Sequence, residues 1–148
     1  MANEKKLGPL EEINRILKEN RVDQYRSPNL ALGLKPVEFS LGASRWVWKE
    51  QPELALNPFG TIQGGYLALF VDELFATAIG SVLEEGEWAV TADLRISYLR
   101  ASRSGPLEGS AKVVRRAPNV AFLEGKVSAS GNGETVVSAS STWAISRA

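Results

Sequence analysis

"NPFGTIQGGYLALFVDELFATAIG", residues 57 to 80, decides how this chain folds. Two adjacent glycines, Gly64 and Gly65, open a long apolar run that only Asp72 and Glu73 interrupt. Leu67, Phe70, Val71, Leu74 and Ala78 recur at helical spacing, so the run predicts one long helix beginning at the glycines. A helix that is apolar on nearly every side is buried on most of them, against a sheet and often against a second subunit. One turn from Asp72 stand Ala68, Leu69, Phe75 and Ala76, all apolar. A charged carboxylate buried there without a partner costs several kcal/mol or is driven to protonate, which makes Asp72 the candidate functional acid. Glu73 shares its side with Tyr66, Thr77 and Gly80, residues that tolerate solvent, and is expected at a wetter edge as a bystander.

The glycines carry chemistry of their own. The first N–H groups of a helix have no intrahelical acceptor. A missing side chain lets a ligand atom approach them, and the helix dipole adds partial positive charge. The helix start is therefore a candidate oxyanion site.

Outward from the helix, Leu10, Ile13, Ile16 and Leu17 recur at helical spacing between Gly8 and Asn20, with Pro9 suited to a first turn. They predict a short amphipathic helix. The stretch DQYRSPNLALGLKP that follows reads as loop. Val37, Phe39 and Leu41 alternate, and Trp46 and Val47 follow Gly42, which predicts two short strands or a hairpin over 34 to 48. After the long helix come four strand-like runs, Ala89 to Leu99, Leu107 to Val114, Val120 to Ala129 and Thr135 to Ile145. They are separated by SRSGP, APN and SGNG turns. Connections this short leave no room for crossover helices and predict an antiparallel meander. The order of helix, two strands, long helix and four strands makes an α+β domain with a single antiparallel sheet.

Composition narrows the function. The 148 residues suit one domain, and 17 basic residues balance 17 acidic ones, so no electrostatic footprint for nucleic acid exists. With no Cys there is no disulfide, thiolate nucleophile or sulfur-bound metal, which fits a reducing compartment. With no His the chain has no Ser/His/Asp relay and no HExxH zinc site, so acid–base work falls to carboxylates and no metal ligand is assigned. The charged N-terminus lacks a signal-peptide core and no apolar run spans a bilayer, so a cytoplasmic protein without a membrane partner is expected.

Asn57, Gly60, Gln63, Gly64, Gly65 and Asp72, followed by VTADLRISYLRAS at 90 to 102, together resemble the PaaI-type branch of the hotdog-fold acyl-CoA thioesterases. The likeness runs from Asn57 to the C-terminus. It implies a hotdog fold, an antiparallel sheet wrapped around one long central helix, with the short N-terminal helix in addition. Residues 1–33 would be the N-terminal helix and loop and 34–148 the thioesterase-like part of a single domain. The resemblance also implies a homodimer joined edge to edge with shared sites, commonly a dimer of dimers. The substrate would be a small, medium-chain or aryl acyl-CoA, cleaved to free acid and coenzyme A, with no cofactor beyond the coenzyme A of the substrate.

Carried over residue by residue, the resemblance makes Asp72 the nucleophile or general base and the Gly64 N–H the oxyanion donor. Asn57 would help to position the nucleophile or thioester, and Thr91, from the facing subunit, would orient the attacking water. Gln63 and Gly65 flank the oxyanion position. Arg115, Arg116 and Asn119 stand where the family meets coenzyme A phosphates and pantetheine, a task suited to Arg. The family's His-Gly-Gly is Gln63-Gly64-Gly65 here, and Gln does not titrate near neutrality. That replacement motivates the alternative of a non-catalytic acyl-CoA-binding hotdog protein. A hotdog dehydratase or hydratase would resemble His-plus-acid chemistry, for which this chain has no His. Trp46, Trp48, Trp88 and Trp143 are assigned to packing.

Overall fold

The computed structural model describes residues 9–22 and 26–148. In chain order the elements are α1 (Pro9–Lys18), α2 (Pro28–Ala31), β1 (Leu34–Ser40), β2 (Ala43–Trp48), α3 (Gly64–Gly80), β3 (Glu87–Tyr98), β4 (Leu107–Ala117), β5 (Val120–Ala129) and β6 (Thr135–Arg147). The six strands form one sheet in the order β1-β2-β4-β5-β6-β3, and every neighbouring pair is antiparallel. The α+β reading and the long central helix stand.

Two expectations are corrected. A short helix, α2, interrupts the stretch read as loop. Ser27 caps it by accepting from the Asn29 N–H, and Pro28 opens its first turn. The strands after α3 are also not one meander, because β3 pairs with β6 instead of β4. Residues 99–106 carry the chain across from one sheet edge to β4, past β6 and β5. Three strand spacings are about 14 Å, well within the reach of about 26 Å that eight extended residues have. Connection length alone therefore did not separate the two topologies.

The sheet wraps α3. Phe70, Val71, Leu74, Phe75 and Ala78 are fully buried in the core against strand residues such as Trp46, Leu107, Leu123, Val127 and Val137. Burial of each large side chain contributes about 1.5–3 kcal/mol. The helix approaches the sheet so closely at Gly109 that a Cβ there would lie 2.6 Å from Leu74 Cδ1 and 2.8 Å from Phe70 Cζ. Polar ties fix the helix along its length. Ser44 Oγ donates to the Leu74 carbonyl at 2.6 Å, and Trp46 Nε1 donates to Thr77 Oγ1 at 3.1 Å. At the C-terminus Ser81 Oγ donates to the Ala78 carbonyl and accepts from the Gly42 N–H, both at 2.7 Å. Trp46, Trp48 and Trp143 are buried as packing residues, whereas Trp88 is half-exposed on β3. Among the described residues no helix is long and apolar enough to cross a membrane.

Candidate active site

The start of α3 is held by the chain that leads into it. Asn57 Oδ1 accepts from the N–H groups of Phe59 at 3.0 Å and Thr61 at 3.2 Å, and its Nδ2 donates to Thr61 Oγ1 at 2.7 Å. Gly60 completes the turn with a φ of 73°, which favours glycine. Asn57 thus shapes the loop that presents the helix. Gln63 follows in extended conformation, donates its N–H to the Ala55 carbonyl at 2.9 Å, and accepts at its own carbonyl from Tyr66 at 3.0 Å. Its side chain is exposed and caps nothing. The N–H groups of Gly64 and Gly65 have no acceptor among the described residues, leaving two donors at the positive end of the helix dipole.

Tyr98, at the end of β3, reaches this helix start, and sequence reasoning missed it. Its Oη donates to the Gly64 carbonyl at 2.8 Å. No helical or strand period connects residues 64 and 98, so only the fold brings them together.

Two turns along the helix, Asp72 is partly buried and its Oδ1 accepts from Thr91 Oγ1 on β3 at 2.7 Å. Thr91 therefore meets Asp72 of its own chain, because β3 runs beside α3; the expectation that it would reach the acid from a facing subunit is corrected. Gly64 and Asp72 are eight residues apart, about 12 Å of helical rise. A donor hydrogen bond, a carbonyl bond and an attack distance together reach about 7 Å, short of that rise. Within one chain the Asp72–Thr91 pair and the helix-start donors therefore stand apart.

Glu73 reverses its expected place. It is only 9% exposed, where a solvated edge was expected. Its Oε2 accepts from Asn29 Nδ2 at 2.8 Å and from Ser27 Oγ at 3.0 Å, while Glu73 Oε1 and Asn29 Oδ1 are buried without partners among the described residues. Desolvation pushes its carboxyl above the ordinary value against the lowering effect of those two hydrogen bonds, and nearby Asp72 adds to the rise. The cause of the misreading is α2: the segment that covers Glu73 lies 44 and 46 residues earlier in the chain.

At the β4–β5 turn Arg115 and Asn119 are exposed. Arg116 is committed to an ion pair with Glu87, which Arg147 also contacts at 3.1 Å. The backbone N–H of Glu84, then Arg116 and Arg147, lower the Glu87 carboxyl to about 2. Arg116 is thus engaged by a carboxylate where a free phosphate ligand was expected.

Residues 59–136 match the model of the thioesterase superfamily. A phenylacetic acid degradation-related protein from Ralstonia eutropha JMP134 is similar at 30% identity and a TM-score of 0.72, over 80% of this chain and 91% of that one. The E. coli PaaI protein of the phenylacetic acid degradation operon shares the fold at 21% identity and a TM-score of 0.75, over 88% and 90%. So does a hypothetical thioesterase from Streptococcus pneumoniae TIGR4 solved with coenzyme A, at 21% identity and a TM-score of 0.70, over 77% and 86%. No curated protein sequence matches the chain. With its matched family model, its central helix and its antiparallel wrap, the chain belongs to the thioesterase superfamily as a hotdog-fold thioester hydrolase of the PaaI type.

Proposed function

We propose that the protein hydrolyses a small, medium-chain or aryl acyl-CoA to the free acid and coenzyme A, at sites shared between the subunits of a homodimer. The observation that carries this reading is the division of the site: free N–H donors stand at Gly64, the Thr91-held carboxylate stands about 12 Å further along the helix, and each half lacks the other. The edge strand β3, 12 residues long and unpaired on one side among the described residues, supports the two-subunit arrangement. An open edge of that length is a template for a second copy. Gly64 of one protomer would then serve the thioester attacked by Asp72 of the partner subunit, and two such dimers would pair as a dimer of dimers.

In this reading Thr91 donates to Oδ1 and leaves Oδ2 free. Asp72 Oδ2 attacks the thioester carbon, or takes a proton from the water that does. The carbonyl electron pair moves onto oxygen, where the Gly64 N–H stabilises it. Collapse expels the coenzyme A thiolate. On the nucleophilic route water then opens the acyl-aspartate anhydride; on both routes one water is consumed and one acid is formed. The Thr91 oxygen keeps lone pairs to hold that water. Arg115 and Asn119 are the exposed candidates for the coenzyme A phosphates, with Gln63 and Gly65 beside the thioester. The neighbour solved with coenzyme A supports that carrier.

The experiment is thiol release from short, medium, long and aromatic acyl-CoAs, with Asp72→Asn beside the wild type. Turnover of at least one substrate, falling about 10³-fold in the variant, is expected. Unchanged turnover in Asp72→Asn would end the mechanism. A second reading, non-catalytic acyl-CoA binding, is favoured by the untitratable Gln63, and tight binding without turnover across the panel would select it.

A further inference from the structure

The Gly64 backbone lies outside the left-handed region, so its conformation does not by itself call for glycine. Space is tight: a Cβ at residue 64 would lie 3.1 Å from Tyr98 Cζ, 3.2 Å from Cε1 and 3.3 Å from Oη, so the ring would have to give by a few tenths of an ångström. At Gly65 a Cβ would meet nothing within 4 Å. The first glycine of the pair is therefore matched to one aromatic ring, and that ring is also bonded to it, since Tyr98 Oη donates to the Gly64 carbonyl at 2.8 Å.

We propose that Tyr98 is a positioning residue for the thioester oxygen, holding the Gly64 backbone so that the free N–H groups on either side of its Cα, those of Gly64 and Gly65, keep one direction, and walling one side of the position that the oxygen occupies. The inference rests on the hydrolase reading above and adds to it a residue that sets the oxyanion donor. The Gly64 N–H lies between two anchored carbonyls. The Gln63 carbonyl before it accepts from the Tyr66 and Leu67 N–H groups at 3.0 and 3.4 Å, and the Gly64 carbonyl after it accepts from Tyr98. The first bonds belong to the helix, whereas the second comes from β3, the strand that also carries Thr91 to Asp72. A hydrogen bond to the Gly64 carbonyl polarises the Gly64–Gly65 peptide, whose N–H is that of Gly65, and so strengthens the second free donor beside the Gly64 N–H. Pre-aimed donors are worth most where charge develops in the transition state, so the consequence falls on kcat and not on ground-state binding.

The test compares wild type with Tyr98→Phe, which keeps the ring and removes the hydroxyl, and adds the pair Gly64→Ala and Gly64→Ala/Tyr98→Ala. Expected are a kcat about tenfold lower in Tyr98→Phe with KM within about twofold, and a loss of activity in Gly64→Ala that the added Tyr98→Ala partly restores by removing the clashing ring. Wild-type kcat in Tyr98→Phe, or no restoration in the double variant, would overturn the inference. An independent readout is the amide resonance of Gly65, the N–H of the peptide whose carbonyl Tyr98 holds, on addition of an acetyl-CoA analogue with methylene in place of the thioester sulfur. Its shift should shrink in Tyr98→Phe, and equal shifts in the two proteins would overturn the inference. If the wild type releases no thiol from any substrate, the hydrolase reading falls and the amide shift alone decides the role of Tyr98.

Discussion

Replacing Glu73 by Gln should stabilise the protein at neutral pH and flatten its response to pH. Glu73 holds α2 to the central helix through one carboxylate oxygen, and its other oxygen is buried with no partner among the described residues, as is Asn29 Oδ1. Two unpaired acceptors on two groups already joined by a 2.8 Å bond are what a carboxylate leaves behind and what a primary amide corrects. Gln at 73 keeps an oxygen for Ser27 Oγ and Asn29 Nδ2 and supplies N–H groups for Asn29 Oδ1. A buried polar atom left unpaired costs about 1–3 kcal/mol, and a neutral hydrogen bond contributes about 1 kcal/mol net. The substitution is therefore expected to add about 1–2 kcal/mol at pH 7, which for a chain of this size is roughly 3–6 °C in Tm.

The sign of the pH effect follows from burial. Desolvation raises the folded-state pKa of Glu73 above its unfolded value, so the folded protein binds more protons in the interval between them. The stability linked to protonated Glu73 is complete below the unfolded pKa and is lost as pH rises through the folded one. The wild type should thus lose stability on going from the ordinary carboxylate range towards neutral pH, and Glu73→Gln should lack that component. Urea unfolding of both proteins at equal protomer concentration, from pH 4 to pH 8, measures it. A Gln variant less stable than wild type at pH 7, with the pH slope unchanged, would refute the reasoning. Thiol release should stay within about threefold of wild type, because no catalytic step is routed through Glu73.

Thr91→Val removes the hydroxyl that holds Asp72 Oδ1 at 2.7 Å while preserving shape; kcat should fall about tenfold with KM little changed, as read from steady-state thiol release. Gly109→Ala drives a Cβ to 2.6 Å from Leu74 Cδ1 and 2.8 Å from Phe70 Cζ. This overpacking should cost about 1–3 kcal/mol in urea unfolding, and a neutral effect would mean that the helix can withdraw from the sheet.

Local features were legible in the sequence where one element contained its own signal. The unbroken apolar period of 64 to 80 located α3 from its first glycine, and the turn clusters bounded β4, β5 and β6 within a few residues. The contact between Asp72 and Thr91 joins two residues that the sequence singled out separately, Asp72 from its helical neighbours and Thr91 from the family motif. What failed was long-range. Glu73 looked solvated because helical spacing shows only Tyr66, Thr77 and Gly80, and nothing on the helix reports that Ser27 and Asn29 fold over it. The β3–β6 pairing was missed because alternation gives a strand its faces but not its neighbour. Tyr98 was missed because a contact with a glycine leaves no pattern at either residue. Thr91 was expected from a facing subunit, because nothing in the sequence reports that β3 runs beside α3 and brings it to Asp72 of its own chain.

The proposed division of the site between Gly64 and Asp72 is the centre of the account, and mixed dimers test it most directly. Asp72→Asn removes the carboxylate half, and Gly64→Pro removes the N–H of the other while fitting the first position of a helix, although its ring also crowds Tyr98. Each variant alone should release almost no thiol. Unfolded and refolded together in equal amounts, half the dimers carry one copy of each, and each of these has one intact site if Gly64 and Asp72 act across the interface. Recovery of about a quarter of wild-type thiol release is the predicted result for such a two-fold dimer. A mixture as inactive as its parents, with heterodimers demonstrably formed, would contradict it.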